Sequence, residues 1–267
     1  MKIHVAIVQP PPFAQVFHEL AKLLVLSLGD LGHDAGAAEA RPHAEARNII
    51  LGYGATLDPS VLRGHIIYQL EPLTSWPAES VGQMLERLRL ASEVWEYSPR
   101  NIEFLRQHGI QAKLVPIGFH PGLASIVHHP DPQIDVLHYG NGSPRRAEII
   151  RALDEKCRMI HIQGRFGAER DRYIGSAKIV LNVHYHPDQA FEAVRVSYLL
   201  NNGCFVISEE SADNPYADMI VTAPYERLVE TCLTYLNRPQ ERQRIAQAAL
   251  ARFSTMRMSD ILRAALS

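Results

Sequence analysis

Residues 134–164, IDVLHYGNGSPRRAEIIRALDEKCRMIHIQG, decide the fold. The apolar run IDVLHYG (134–140) reads as a strand that stops at a glycine. The turn NGSPRR (141–146) follows, and the helix AEIIRALDEKC leads into a second apolar run, MIHIQG (159–164). Two short strands joined through a helix pair in parallel, because the crossover returns the chain to the same sheet in the same direction.

The alternation continues in both directions. Downstream lie a short helix AERDRYIGSA (168–177), a strand KIVLNVHYH (178–186) running into a loop, and a helix FEAVRVSYLLNNG (191–203) with Gly203 as its stop. The strands CFVISE (204–209) and MIVTA (219–223) come next, and residues 224–265 are helical with an interruption at Pro239. Upstream, KIHVAIVQ (2–9) is a buried first strand ending at Pro10, Pro11 and Pro12, and residues 13–36 have helical spacing that stops at Gly29 or Gly32. The strands NIILG (48–52), HIIYQLE (65–71), VWEYS (94–98) and KLVPIGF (113–119) alternate with helices over 77–93 and 99–109. Ser98 caps the second of these helices, with Pro99 at its first position and Gly109 past its end. Residues 120–133, HPGLASIVHHPDPQ, break the rhythm with three prolines and no period. The expectation is an α/β protein of two Rossmann-like domains with parallel sheets, 1–120 and 134–267, joined by a hinge linker at 121–133. A ligand cleft is expected between the domains, at the carboxyl ends of the strands.

Composition narrows the function. Lys plus Arg is 27 against 29 Asp plus Glu, a net charge of −2, so no basic excess points to nucleic acid. The 13 histidines make the charge rise below about pH 6.5. Hydrophobic residues at 46% and charged residues at 21% fit an ordinary folded chain. Cys157, Cys204 and Cys232 lie far apart, without the pairing of a disulfide framework or a zinc knuckle. No window is apolar enough for a transmembrane segment, and the first apolar run is too short for a signal sequence. A reduced, cytoplasmic setting is expected. The first strand lacks a GxGxxG turn, GYG (52–54) has no later glycine, and neither a Walker loop nor GxSxG occurs.

The strongest local signal is YGNGSPRR (139–146). Its glycines let backbone N–H groups approach an anion, a helix N-terminus favours negative charge, and arginine binds phosphate through two donors. Asn141, Gly142, Ser143, Arg145 and Arg146 are thus a diphosphate cradle, or else a plain βα turn with solvated arginines. The second signal is LNVHYHPDQAFEAVRVSYLLNNGCFVISE (181–209). His184 and His186 share a face if the strand runs that far, and with no third ligand nearby a zinc pair is disfavoured. Glu192 and Arg195 share a helix face. A carboxylate at that helix start can accept both hydroxyls of a ribose; the alternative is a surface ion pair with Arg195.

These residues resemble a known family. YGNGSPRR, IHIQGRFGAERDRYIGSAKIVLNVHYH and FEAVRVSYLLNNGCFVISE, in that order, are similar to the donor domain of GT-B glycosyltransferases of the short bacterial group 1 type, related to the spore-maturation branch. IIYQLEPL (66–73) and VWEYSPRNIEFLRQHGI (94–110), followed by LVPIGFHP (114–121), resemble that family's first domain. The resemblance implies a glycosyltransferase that takes a nucleotide-diphosphate sugar on its second domain and an acceptor, a small molecule, glycan or protein, on its first. Gly142, Ser143, Arg145 and Arg146 would meet the diphosphate and Glu192 the ribose. The base would lie near Gly164, Arg165 and Phe166. His184, His186 and Arg195 would border the same site. It further implies no bound metal and no cofactor, with arginines and helix dipoles neutralising the leaving diphosphate. The last helical stretch, about 242–265, would pack back toward the first domain. The glutamate pair of retaining members, E-x7-E, would fall near Ala190 and Tyr198, where neither residue is glutamate.

A catalytic base, if the reaction needs one, has to come from the cleft. Glu71, ending HIIYQLE, is the first candidate, Glu209 and Glu210 end a second-domain strand and can face the cleft too, and the other catalytic candidate, His120 in GFHPG, is placed to touch the leaving phosphate. His128 and His129 read as linker residues, while Trp76 and Trp95 read as core or interface, with Trp76 near enough to Glu71 in sequence to stack on a sugar. Two other classes stay open: a nucleotide-sugar epimerase or hydrolase on the same scaffold, and a non-catalytic nucleotide-binding partner or regulator.

Overall fold

The computed structural model describes residues 1–10, 13–39, 41–54, 58–187 and 191–267. Pro11, Pro12 and Ala190 lie outside them. Contacts divide the chain into two compact units, Met1–Gly122 with Met256–Ser267, and Leu123–Thr255.

The first unit holds β1 (Lys2–Ile7), α1 (His18–Asp30), β2 (Asp34–Glu39), β3 (Arg47–Leu51), β4 (Ile66–Gln69), α2 (Ala78–Leu88), β5 (Glu93–Glu96), α3 (Pro99–Gln107) and β6 (Ala112–Leu114). Among the described residues its sheet is parallel throughout, in the order β2-β1-β3-β4-β5-β6. Ala6, Ile50, Ile67 and Val94 of the strands pack against Leu85 and Leu88 of α2 and Leu105 of α3. α1 buries Leu20, Leu23, Leu24 and Leu28, the stripe that its 3.6-residue period produces. Ser98 accepts from Asn101 N at 3.3 Å and Pro99 opens α3, as the sequence predicts.

The second unit begins with β7 (Ile134–Tyr139), α4 (Pro144–Asp154), β8 (Met159–Ile162), α5 (Gly167–Gly175) and β9 (Ala177–Asn182). It continues with α6 (Ala193–Asn201), β10 (Val206–Glu209), β11 (Val221–Ala223), α7 (Leu228–Leu236) and α8 (Pro239–Phe253). Its sheet is also parallel, in the order β11-β10-β9-β7-β8. Val136, Ile179, Leu181 and Ile207 form the sheet side of the core, and Ile149, Leu153, Leu228 and Cys232 cover it.

The helix expected within 13–36 ends at Asp30, between the two glycines read as its stop, and Asp34–Glu39 beyond it is an edge strand, whose sequence DAGAAE has no apolar alternation to announce it. Two expectations need correction. The segment read as a hinge linker, 121–133, belongs to the second unit from Leu123 onward. Ser125 N and Ile126 N donate to Asn202 Oδ1, His128 Nε2 meets Asn202 O at 2.6 Å, and His129 N donates to Gly175 O. A Cβ at Gly175 would lie 2.1 Å from Val127 O, so that glycine is what allows the approach. Finally, α8 stays with the second unit, and the helix that joins the first is α9 (Met258–Leu266), which packs on α1. Lys113 Nζ donates to Ala265 O, and Phe119 exchanges backbone bonds with Met256 and Met258.

Candidate functional site

The order of the second sheet locates a site. The chain leaves β7 toward β8 on one side, then returns to β9 on the other. The βα connections therefore diverge between β7 and β9, and a crevice opens at the carboxyl ends of those two strands. The loops that follow them are the two that the sequence singled out. Gly140 after β7 has φ of 119°, a backbone state closed to other residues, and a Cβ there would stand 2.8 Å from Arg195 Nη2. Ser143 accepts from Arg146 N and Pro144 follows, which fixes the start of α4 beside this loop. Asn141 and Gly142 are exposed.

The two arginines of YGNGSPRR have different surroundings. Arg145 meets Glu209 through both terminal nitrogens, at 2.7 and 2.5 Å, and lies 4.0 Å over the Tyr225 ring. Arg146 is buried, with 3% exposure. It donates to Val183 O, Asn141 O and Glu192 Oε1 at 2.8, 2.8 and 3.3 Å. Burial and the neighbouring charge of Arg195 bring its guanidinium down to about 10, still protonated at neutral pH. Arg146 ties the loop after β7 to the loop after β9.

Glu192 precedes α6, anchored by the fully buried Phe191. Its side chain is 12% exposed and does not cap its own helix. Oε1 accepts from Arg146, and Oε2 accepts from Asn182 Nδ2 at 3.0 Å and His184 Nδ1 at 2.7 Å. Burial opposes the charge on Glu192, but the hydrogen bond and charge of His184, with Arg195 and Asn182, outweigh it and hold the carboxyl at about 2. His184 has an acceptor at each ring nitrogen, the Glu192 carboxylate at Nδ1 and Glu210 O at Nε2, 3.1 Å away. A ring with acceptors on both sides needs two N–H donors, which only imidazolium has. Burial would lower its pKa; Glu192 and Glu209 raise it above the ordinary value. Glu192 is thus the hub of a buried charge network, paired with Arg146 and His184 rather than in the surface pair with Arg195 that its spacing allows.

Arg195, on α6, donates to Asn182 Oδ1 at 2.7 Å, and among the described residues no carboxylate forms an ion pair with it. It lies half-buried beside Gly140 and 5.2 Å from the centre of the Tyr139 ring. Asn182, the last residue of β9, bridges Arg195 and Glu192. Sequence reading missed it, although its place at the carboxyl end of a buried strand was the available signal.

His186 does not share a face with His184, because the strand stops at Asn182; His184 is buried and His186 exposed. Gly164, at φ of 66°, and Arg165 are exposed in the loop after β8, with Arg165 paired to Glu169, and Phe166 is half-buried before α5. Among the described residues no group of three or more His, Cys, Asp or Glu is arranged to hold a metal.

In the first unit, Glu71 follows β4. Gln69 braces its backbone, accepting from Glu71 N at 2.6 Å and donating to Glu71 O at 2.7 Å. Burial raises the Glu71 carboxyl above its ordinary pKa. His120 is buried, with Nδ1 accepting from Gly122 N and Nε2 3.2 Å from Asp30 Oδ2 at the end of α1.

Residues 128–259 match the model of a family described as glycosyl transferase-like. Two uncharacterized proteins of Acanthamoeba polyphaga mimivirus are similar in sequence. One is 31% identical over 113 residues, 39% of this chain and 37% of the relative; the other is 24% identical over 182 residues, 65% and 64%. The chain thus spans less than two thirds of either relative's length. Among solved structures, AviGT4, a glycosyltransferase involved in avilamycin A biosynthesis, aligns over 100% of this chain and 96% of its own with a TM-score of 0.58 at 14% identity. A glycosyltransferase from Rickettsia africae ESF-5 aligns over 99% and 97% with a TM-score of 0.54 at 10% identity. An α-glucosyltransferase in complex with UDP and a 13-mer DNA aligns over 98% and 94% with a TM-score of 0.53 at 8% identity. The fold is therefore that of the GT-B glycosyltransferases, and the match to the glycosyl transferase-like family model falls almost wholly on the second unit. No helix among the described residues is long and apolar enough to cross a membrane.

Proposed function

We propose that the protein is a glycosyltransferase of hexosyltransferase type that moves a sugar from a nucleoside-diphosphate donor bound at the β7–β9 switch point. The observation that carries this reading is the charge of that crevice. Arg145 is matched by Glu209, but Arg146, protonated His184 and Arg195 face the single carboxylate of Glu192, so two positive charges are in excess, and Arg195 is the cation that among the described residues has no carboxylate in contact. A guanidinium with donors to spare, next to the exposed N–H groups of a glycine loop and a helix N-terminus, suits a diphosphate. These groups supply the positive charge that departing diphosphate requires, so the donor is proposed to bind without a metal. In this reading Arg195, Asn141, Gly142 and Ser143 meet the diphosphate. Arg145, Arg146, His184 and Glu192 shape the loops, and Gly164, Arg165 and Phe166 border the base. Glu192, with both oxygens engaged, positions the crevice rather than gripping ribose.

The acceptor is proposed to bind the first unit. There Glu71 takes the proton of the attacking hydroxyl as its oxygen bonds to the anomeric carbon and the bond to diphosphate breaks, the electron pair leaving with the phosphate. Its raised pKa suits a base working near neutral pH. The FEAVRVSYLLNNG pattern supports the short bacterial group 1 branch, and the buried free thiols Cys204 and Cys232 suit a reducing cytoplasm. A thermal-shift screen with UDP, GDP, CDP and dTDP tests the reading. One nucleotide should raise the melting temperature, and do so equally in EDTA. No shift with any of them, or a shift abolished by EDTA, contradicts it.

A further inference from the structure

A second crevice lies in the first unit. The chain leaves β1 toward β2 on one side and toward β3 on the other, so this sheet has its own switch point. Beside it is a pocket of about 160 Å³ lined by Gln9, Glu71, Trp76, Ser80, Gln83 and Arg87, with Gly54 and Met84 at its wall. It is well below the roughly 300–1,000 Å³ that drug-sized ligands fill, so its occupant is about the size of one ring. Gln9 lies against Gly52, which at φ of 74° would place a Cβ 2.3 Å from Gln9 Cγ.

The lining has one chemical character. Gln9, Gln83 and Ser80 each carry both donors and acceptors, as sugar hydroxyls do. Glu71 is held by its backbone through Gln69 and Asn101, and among the described residues no side chain donates to its carboxylate. Trp76 leaves 42% of its surface in solvent and lines the pocket, so its indole is available to a ligand. Arg87 donates to Tyr53 O and keeps its charge near Glu71. Together the carboxylate and the guanidinium leave the lining with no net charge to select a phosphate or an organic cation. What remains is a neutral ring with an apolar face for the indole and hydroxyls at its edge for the carboxylate and amides.

We propose that this pocket binds a pyranose ring of the acceptor, so that the acceptor is a glycan or glycoside. The inference rests on the assignment of the nucleotide to the second unit. Glu71 and the Gln9 and Gln83 amides bind ring hydroxyls, and Trp76 covers the apolar face.

Saturation-transfer NMR on the full chain tests it. The probes are methyl glycosides of glucose, galactose, mannose and N-acetylglucosamine, with choline, uridine and inorganic phosphate as controls. Ring protons of at least one glycoside should receive saturation. That signal should fall at least tenfold in Trp76→Ala and in Glu71→Gln, and several-fold in Gln83→Ala, an exposed helix position where folding is not at risk. Absence of transfer to every glycoside overturns the inference, as does transfer that survives Trp76→Ala or a pocket that takes choline or uridine instead. Nucleotide binding, followed by calorimetry on the same samples, keeps the two readings apart. A nucleotide that binds while no glycoside does leaves the transferase standing without this acceptor, whereas a glycoside that binds while no nucleotide does sinks the donor site alone.

Discussion

Glu96 and Glu192 are buried glutamates near the carboxyl ends of the two sheets, and they end in opposite states. Glu96, fully buried at the end of β5, meets only uncharged donors: Ser98 N at 2.8 Å, Gln69 Nε2 at 2.7 Å and Asn101 Nδ2 at 3.1 Å. Burial outweighs these bonds and pushes its carboxyl up to about 8, so it is largely a neutral acid at pH 7. Glu192 is comparably buried but has His184 and Arg146 against it, and stays ionised. The difference shows that a cation in contact decides the fate of a buried carboxyl. It also separates two chemistries. In the proposed reading, the first unit keeps a neutral floor, joined through Gln69 to the Glu71 backbone, behind the acceptor pocket, and the second keeps a charged network behind the donor crevice.

Breaking the Glu192 network has the largest expected effect. Glu192→Ala leaves Arg146 and His184 buried without their counter-charge and should cost about 3–5 kcal/mol in urea unfolding. A loss below about 1 kcal/mol would mean that the carboxylate is effectively at the surface. Gly140→Ala should cost about 1–3 kcal/mol, since it combines a strained φ with a collision against Arg195.

The pH profile sharpens the comparison, with a slope of up to about 1.4 kcal/mol per pH unit for each group. Glu96 has a folded pKa above the ordinary 4.5, so its contribution is full below 4.5 and is lost as pH rises through about 8. His184, also raised, contributes fully below 6.5 and loses this as pH rises through its folded value. Glu192 is depressed, so its contribution is present above 4.5 and lost as pH falls toward 2. Stability should therefore peak near pH 4.5, and Glu96→Gln should flatten only the fall above that pH. A maximum near pH 9 would contradict these assignments. The smallest effect is expected at the exposed Arg165–Glu169 pair: Arg165→Ala should change stability by about 0–1 kcal/mol.

Much of the fold was legible because buried parallel strands are short apolar runs and their helices carry caps, as Ser98 and Pro99 show. DAGAAE escaped because an exposed edge strand needs no apolar pattern. The docked segment 123–133 escaped because it is held by Asn202 and by the space at Gly175, contacts that no local period records. At the site, the loop YGNGSPRR and Glu192 were visible in sequence as glycine, arginine and carboxylate near strand ends. Their pairing was not. That Glu209 takes Arg145, that Glu192 takes Arg146 and His184, and that Arg195 is left beside Gly140 follow from the order β10-β9-β7, which sequence spacing does not encode.

The charge left at Arg195 is the centre of the account. The direct test is calorimetric titration of wild type and Arg195→Ala with whichever nucleoside diphosphate binds and with its parent nucleoside. Loss of a charge-assisted contact to phosphate should weaken the diphosphate about 10–100-fold and leave the nucleoside nearly unchanged. Equal weakening of both ligands, or none of either, would contradict the placement of the diphosphate at the β7–β9 switch point.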